Sequence, residues 1–370
     1  MTTFLIVFFA IYTCIHAVFF IRVRSLLPAG WPWQLAFGAF LLLMILAPIG
    51  IRLLERGGFD APARFAAFAG YGWMGFVALC FCAFVADGIV DGVFKLVGLL
   101  AKIPVPALSG NAATVSLLLA VLGVCVYGFF DARDIRVERV VLKTGKLPAG
   151  VDHLRIVQVS DLHMGLIVRG ERLQKVVEIV RGVSPDVIVS TGDLVDGSVG
   201  NVEELIRIFE PVSARYGKYA VVGNHEYYAG IRYALEITKR LGFKVIQNGA
   251  TDVRGLIDIA GVDDPVGGGA DEEALLRSVR NGRFVLFLKH RPEPLENCLG
   301  LFDLQLSGHT HRGQVFPFSL VTARVYPLQD GLYELARGSM LYTSRGTGTW
   351  GPPMRVLSPP EVTVIDLMRE

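Results

Sequence analysis

Seven side chains of metal-ligand type stand at five places in this chain, each just beyond a short apolar run. Asp161 and His163 follow residues 156–159, Asp193 follows 187–190, and Asn224 follows 219–222. His290 follows 284–288, and His309 and His311 follow 304–306. Short apolar runs of this kind read as buried strands. The loops at the carboxyl ends of such strands are where α/β sheets place their ligands. Five of the seven histidines of the chain lie in these segments, His225 being the fifth. A lone histidine beside a glycine is most simply a core or turn residue. Five of them at strand ends, beside Gly, Asp or Asn, point to a shared metal site.

Carboxylate, amide and imidazole donors together suit Mn²⁺, Fe or Zn²⁺ better than an all-oxygen Mg²⁺ or Ca²⁺ site. A phosphate ester is an anion that must be attacked by an anion. Two metal ions about 3.5–4 Å apart solve this by generating hydroxide and neutralising the phosphoryl oxygens. Such a pair needs a carboxylate able to bridge, and Asp193, preceded by Gly192, suits that role. Asp161 and His163 alternate on one extended turn and can aim at one ion. His309 and His311 have the same spacing and could serve different ions.

Strands and helical patterns alternate from about residue 151. Residues 169–183 carry Leu173, Val176, Val177 and Val180 on one helical face. Asn201 is a candidate cap for a helix over 202–215, with Glu203 and Glu204 in its first turn. Further helices are expected over 231–241 and 271–280, and further strands over 331–335, 340–344 and 361–367. Strand–helix repetition argues for an α/β domain. The helix-poor end argues for a second, more antiparallel sheet.

Before about residue 131 the chain is of another kind. Hydrophobic residues make up 52% of the whole and the mean hydropathy is +0.48, the excess lying in this first part. Stretches 4–21, 35–51, 65–85 and 112–130 are long and apolar enough to cross a bilayer, which takes roughly 17–25 residues. The first lacks a basic leader and a small-residue cleavage site, so it reads as an uncleaved anchor. Trp31 and Trp33 flank the second span, as aromatic belts do. The third is expected to end near Ala86, with Asp87 and Asp91 at the interface. His16 is read as a packing residue. The expected organisation is a four-helix transmembrane region over 1–130, a charged connector over 131–150, and a globular domain over 151–370. Eight basic residues border the spans on the side of the globular domain and four on the other. The positive-inside rule thus favours a cytoplasmic domain. A net charge of +2, with no basic stripe interleaved with aromatics, gives no sign of nucleic-acid binding. A lone cysteine in the globular part, Cys298, excludes a disulfide framework there.

Taken together, Asp161-x-His163, Gly192-Asp193, Gly223-Asn224-His225-Glu226, His290 and Gly308-His309-x-His311 resemble the full signature of the calcineurin-like metallophosphoesterases. The resemblance covers roughly residues 151–370. The stretches 288–292 and 346–353 are similar to a bacterial, membrane-associated or exported branch. It implies a sandwich of two mixed sheets flanked by helices. It also implies that Asp161, His163 and His311 hold one metal, that Asn224, His290 and His309 hold a second, and that Asp193 bridges them. His225 would not bind metal but would protonate the leaving group or stabilise the transition state, oriented by Asp196. Glu226 is expected to be structural. Arg312 stands where the branch commonly has Gly, and either a substrate contact or a surface role fits it. Arg345 and Trp350 lie in a Gly-rich loop that either approaches the site or forms a plain turn.

The expected activity is therefore that of a membrane-anchored, dinuclear-metal phosphoesterase acting on a phosphodiester by metal-activated hydroxide, in a bacterial cell membrane. A lipid headgroup or a cell-envelope phosphodiester is the substrate that membrane attachment suggests. Phosphomonoesterase activity is the alternative within enzymes. A metal-binding membrane scaffold or transport protein is the alternative outside them, but the spans lack the broken helix pairs of a transport pathway.

Overall fold

The computed structural model describes residues 2–106, 109–197 and 200–370. The chain divides into two compact units, Met1–Phe129 with Gly351–Met354, and Phe130–Trp350 with Arg355–Glu370.

The first unit contains four helices, α1 (Thr2–Val23), α2 (Trp31–Arg56), α3 (Asp60–Ala101) and α4 (Asn111–Asp131). All four are long and apolar enough to cross a membrane. Helix α3 is the longest of the four. It runs unbroken for 42 residues, about 63 Å at the usual rise, so the helix continues past Ala86, near which the sequence placed the end of the membrane span. Its second half holds no proline, and Asp91 pairs with Lys95 one turn on at 2.6 Å. Asp87 is bonded by Arg22 of α1 and accepts from Ser109 Oγ at 2.9 Å. Those two acidic groups are thus partnered within one long helix. His16 is buried between the Tyr12 carbonyl and Trp73 Nε1, both within 2.9 Å, as a packing residue would be.

The second unit is built of two six-stranded sheets. Its elements run β1 (Arg136–Thr144), β2 (His153–Val159), α5 (Glu171–Gly182), β3 (Val187–Ser190), α6 (Val202–Phe209), β4 (Lys218–Ala220), α7 (Asn224–Ala229) and α8 (Ile231–Arg240). They continue with β5 (Lys244–Val245), β6 (Gly249–Val253), β7 (Ile257–Val262), α9 (Glu272–Val279), β8 (Phe284–Lys289), β9 (Leu304–Ser307), α10 (Phe318–Val325), β10 (Gly331–Glu334), β11 (Met340–Thr343) and β12 (Glu361–Arg369). The sheet orders are β1-β12-β2-β3-β4-β5 and β10-β11-β9-β8-β7-β6. The second sheet has two antiparallel pairs, at β10/β11 and β6/β7, against one in the first, at β12/β2. The strand at the chain's end, β12, belongs to the first sheet.

Period-two alternation explains the layers. In β2, Leu154 and Ile156 face the core between the sheets, while Val157 and Val159 face helices α5, α6 and α8. In β8, Phe284, Leu286 and Leu288 join the same inner core, while Val285 and Phe287 pack with Leu276 of α9. Asn201 caps α6 by accepting from the Glu204 amide at 3.2 Å.

One expectation needs correcting. The charged stretch read as a connector contains β1, which runs parallel to β12 over nine residues. Leu142 is buried in the inner core with Val140 packed against it. Arg136, Glu138, Arg139 and Lys143 are the charges that made the strand look like a linker. Charge of this kind is how an edge strand is kept from pairing further.

Candidate functional site

Strands β2, β3, β4, β8 and β9 end together, and the residues just past them form the site. Asp161 and His163 follow β2, Asp193 follows β3, Asn224 and His225 open α7 after β4, His290 follows β8, and His309 and His311 follow β9. Five of them have positive φ: Asp161 at 51°, His163 at 49°, Asp193 at 52°, His309 at 69° and His311 at 48°. Non-glycine residues rarely take this conformation, and each costs on the order of 1–3 kcal/mol. Strain of this kind concentrated on ligand-type side chains marks a site whose geometry the rest of the fold enforces. The glycines of the motifs are needed for closeness. A Cβ on Gly223 would fall onto Asp193 Oδ1, and one on Gly308 onto Ser160 Oγ and Asp161 Oδ2.

The side chains converge in overlapping groups. The donor atoms of Asp161, His163 and His311 lie within 4.8 Å of one another, as do those of His163, Asp193 and His225, and those of Asp193, His290 and His309. His163 Nε2 is 3.0 Å from His311 Nε2, and His311 Nε2 is 3.5 Å from Asp161 Oδ1. His290 Nε2 is 3.1 Å from His309 Nδ1 and 3.2 Å from Asn224 Oδ1. Asp193 Oδ2 lies 3.3 Å from His290 Nε2 and 3.8 Å from His163 Nε2, between the two ends of the cluster. Nearly all of these groups are buried. Carboxylate, amide and imidazole donors converging this closely form a set that fits divalent metal ions.

Burial and mutual charge divide the titratable groups. Burial, only partly offset by His290, pushes Asp161 up to about 6. Burial opposes ionisation of Asp193, but the His290 and His225 rings hold it well below the usual carboxylate range. Burial disfavours charge on His225, yet Asp193 and Asp196 push it up to about 9. His163 falls to about 4 through burial and the neighbouring His225. Cations at Asp193 would cancel much of the field that raises His225.

The supporting shell is specific. Glu226 accepts from the Asp193, Gly223 and Val195 amides at 3.0, 2.7 and 3.1 Å, tying the β3 and β4 loops together. His225 Nδ1 donates to Asp196 Oδ1 at 3.0 Å, and its amide donates to Asp193 Oδ1 at 2.9 Å. The Trp350 ring stands edge-on to His225 at 5.6 Å. Arg345 turns away, to Glu138 and Glu361. Arg312 pairs with Asp330 at 3.3 Å and is part-exposed.

Two neighbours were not found from the sequence. Arg355 is fully buried and its guanidinium donates to His311 Nδ1 at 3.0 Å and to the carbonyls of Arg345, Gly348 and Ser358. Tyr326 Oη lies 3.2 Å from His309 Nε2. Neither sits in a motif or has a spacing that would single it out.

Residues 154–313 match the family model of the calcineurin-like phosphoesterases. An uncharacterized metallophosphoesterase of Aquifex aeolicus is 36% identical over 248 residues, 65% of this chain and 95% of the relative. A transmembrane protein with metallophosphoesterase domain from Danio rerio is 32% identical over 311 residues, 79% of this chain and 71% of the relative. One of the same description from Bos taurus is 30% identical over 276 residues, 69% of this chain and 61% of the relative.

Proposed function

The chain belongs to the calcineurin-like metallophosphoesterases, and from that premise we propose that it hydrolyses a phosphodiester at a dinuclear metal centre beside a membrane. The observation that carries the dinuclear reading is the placement of Asp193 Oδ2 between His290 and His163. Asp161, His163 and His311 would hold one ion, and Asn224, His290 and His309 the other, with Asp193 common to both. Mn, Fe or Zn suits these donors. Two such ions, when bound, supply an activated water as nucleophile and neutralise phosphoryl charge. His225, held by Asp196, then gives its proton to the leaving oxygen.

A diester is favoured over a monoester by the arginines of these loops. Arg291 is held by Asp264 at 2.7 and 3.0 Å, Arg312 by Asp330, Arg345 by Glu138 and Glu361, and Arg355 by backbone carbonyls. A dianionic monoester would call for an uncommitted guanidinium.

The test uses the purified full-length protein reconstituted with Mn²⁺. It should bind about two metals per chain and release p-nitrophenol faster from bis-p-nitrophenyl phosphate than from p-nitrophenyl phosphate. A single metal at saturation would end the dinuclear reading, and a faster monoester would end the diester one. The basic residues bordering the spans favour a cytoplasmic domain. A C-terminal alkaline phosphatase fusion should accordingly be inactive and a fluorescent fusion bright.

A further inference from the structure

Helix α10 has no buried residue. Phe316 and Phe318 at its start are 42% and 36% exposed, and Leu320, Val321 and Val325 are 66%, 64% and 64% exposed. From Phe316 to Val325 the single charge is Arg324, itself exposed. A contiguous apolar surface of this kind on a folded domain marks something that covers it. The helix also sits next to the chemistry: Tyr326, which caps its C-terminus, touches His309.

We propose that α10 is an interfacial helix that inserts Phe316, Phe318, Leu320, Val321 and Val325 into the bilayer surface. It would thereby bring the site to phosphodiesters whose apolar tail stays in the membrane. The occupant is argued from the chain itself. Helix α4, of membrane-crossing length, ends at Asp131, and β1 begins at Arg136. Five peptide steps reach at most about 18 Å, so a bilayer is always close to this domain. Aromatic and branched aliphatic residues with a flanking arginine are the composition that lies in a membrane interface. The substrate half of the proposal rests on the phosphodiesterase reading; the docking half does not.

Two measurements on the full-length protein in phosphatidylcholine–phosphatidylglycerol nanodiscs test it. In Leu320→Trp, the emission added over the parent protein should be quenched by brominated phosphatidylcholine and shielded from aqueous acrylamide. Emission open to acrylamide and indifferent to bromolipid overturns the docking. The second compares hexadecyl p-nitrophenyl phosphate with bis-p-nitrophenyl phosphate, which share a leaving group. Leu320→Glu combined with Val321→Glu should raise KM for the alkyl diester about tenfold and leave kcat/KM for the soluble diester within about threefold. Equal losses on both substrates, or on neither, overturn the substrate half. If the parent protein hydrolyses neither diester, the phosphodiesterase reading falls with the substrate half, and the quenching result alone judges the helix.

Discussion

Around His290 the outer ring nitrogen faces a carbonyl, Thr191 O at 2.8 Å; around His311 it faces a guanidinium, Arg355 at 3.0 Å. A carbonyl only accepts, so His290 keeps a proton on Nδ1, and when neutral its lone pair points from Nε2 towards Asp193. A guanidinium only donates, so His311 Nδ1 accepts, and the proton of the neutral ring lies on Nε2, towards His163. One half of the candidate metal site is therefore pre-set for coordination through Nε2. The other must give up a ring proton or reorient first. Metal-bound histidines are ordinarily oriented by an acceptor on the far nitrogen, and the contrast makes the Asp161–His163–His311 half the one expected to fill last and empty first.

The largest effect should come from the residue both halves share. Asp193→Asn should remove both metals and reduce turnover to background, because no other buried carboxylate reaches both His163 and His290 among the described residues. Elemental analysis of the folded variant checks it. Two metals retained would mean that the halves do not depend on a common bridge.

His225→Ala should separate chemistry from metal binding. Its ring donates to Asp196, and proton transfer by a positioned histidine is worth about 10²–10⁴ in rate. The variant should keep both metals and lose turnover by that factor. Because the donor atoms of His225 also group with those of His163 and Asp193, loss of a metal would instead make this ring a ligand.

Arg355→Lys should act on one half alone. The guanidinium holds the loop carbonyls of Arg345, Gly346, Gly348 and Ser358 besides His311, and a lysine cannot reproduce that fork. Metal affinity of the His311 half should fall about 10–100-fold, because losing the order that the fork imposes on the loop carrying His311 outweighs the relief of its ring-proton conflict. Chelator titration should then show one tightly held ion and one easily lost. Unchanged or tighter binding of the weaker ion would make Arg355 a brake on coordination rather than a support.

How far these features could be read from the sequence follows from how each is encoded. The convergence of these ligand-type side chains was legible because they stand just past strand ends, as in Gly192-Asp193 and Gly308-His309. The two-sheet sandwich came from the family resemblance, whereas strand–helix repetition alone argued for an α/β domain and a second, more antiparallel sheet. Arg355 was not legible, since a buried arginine is defined by the carbonyls that surround it and those come from loops folded back in space. Strand β1 hid behind the edge charges Arg136, Glu138 and Arg139, and α3 behind Asp87 and Asp91, whose partners Arg22 and Lys95 become visible only once the helices exist. Helix α10 was missed because an eight-residue segment whose apolar side chains face solvent matches neither a core helix nor a span.

The smallest effect is expected at Tyr326, and it sharpens the contrast from the other side. Tyr326 Oη meets His309 Nε2 at 3.2 Å, leaving Nδ1 directed at His290 and Asp193. The phenol can accept the Nε2 proton, so it sets the same kind of ring orientation for His309 that Thr191 sets for His290. A phenol at the edge of a buried site is one neutral hydrogen bond, worth about 0.5–1.5 kcal/mol, a change of roughly 2–12-fold in affinity. Tyr326→Phe keeps the ring that packs edge-on against His309 at 5.3 Å and removes only the hydroxyl. The His290–His309 half should therefore lose a few-fold in metal affinity while the His311 half is unmoved, the mirror image of Arg355→Lys. A chelator titration in which Tyr326→Phe weakens both ions equally would show that the two halves are not independently oriented, and the comparison would fail at its premise.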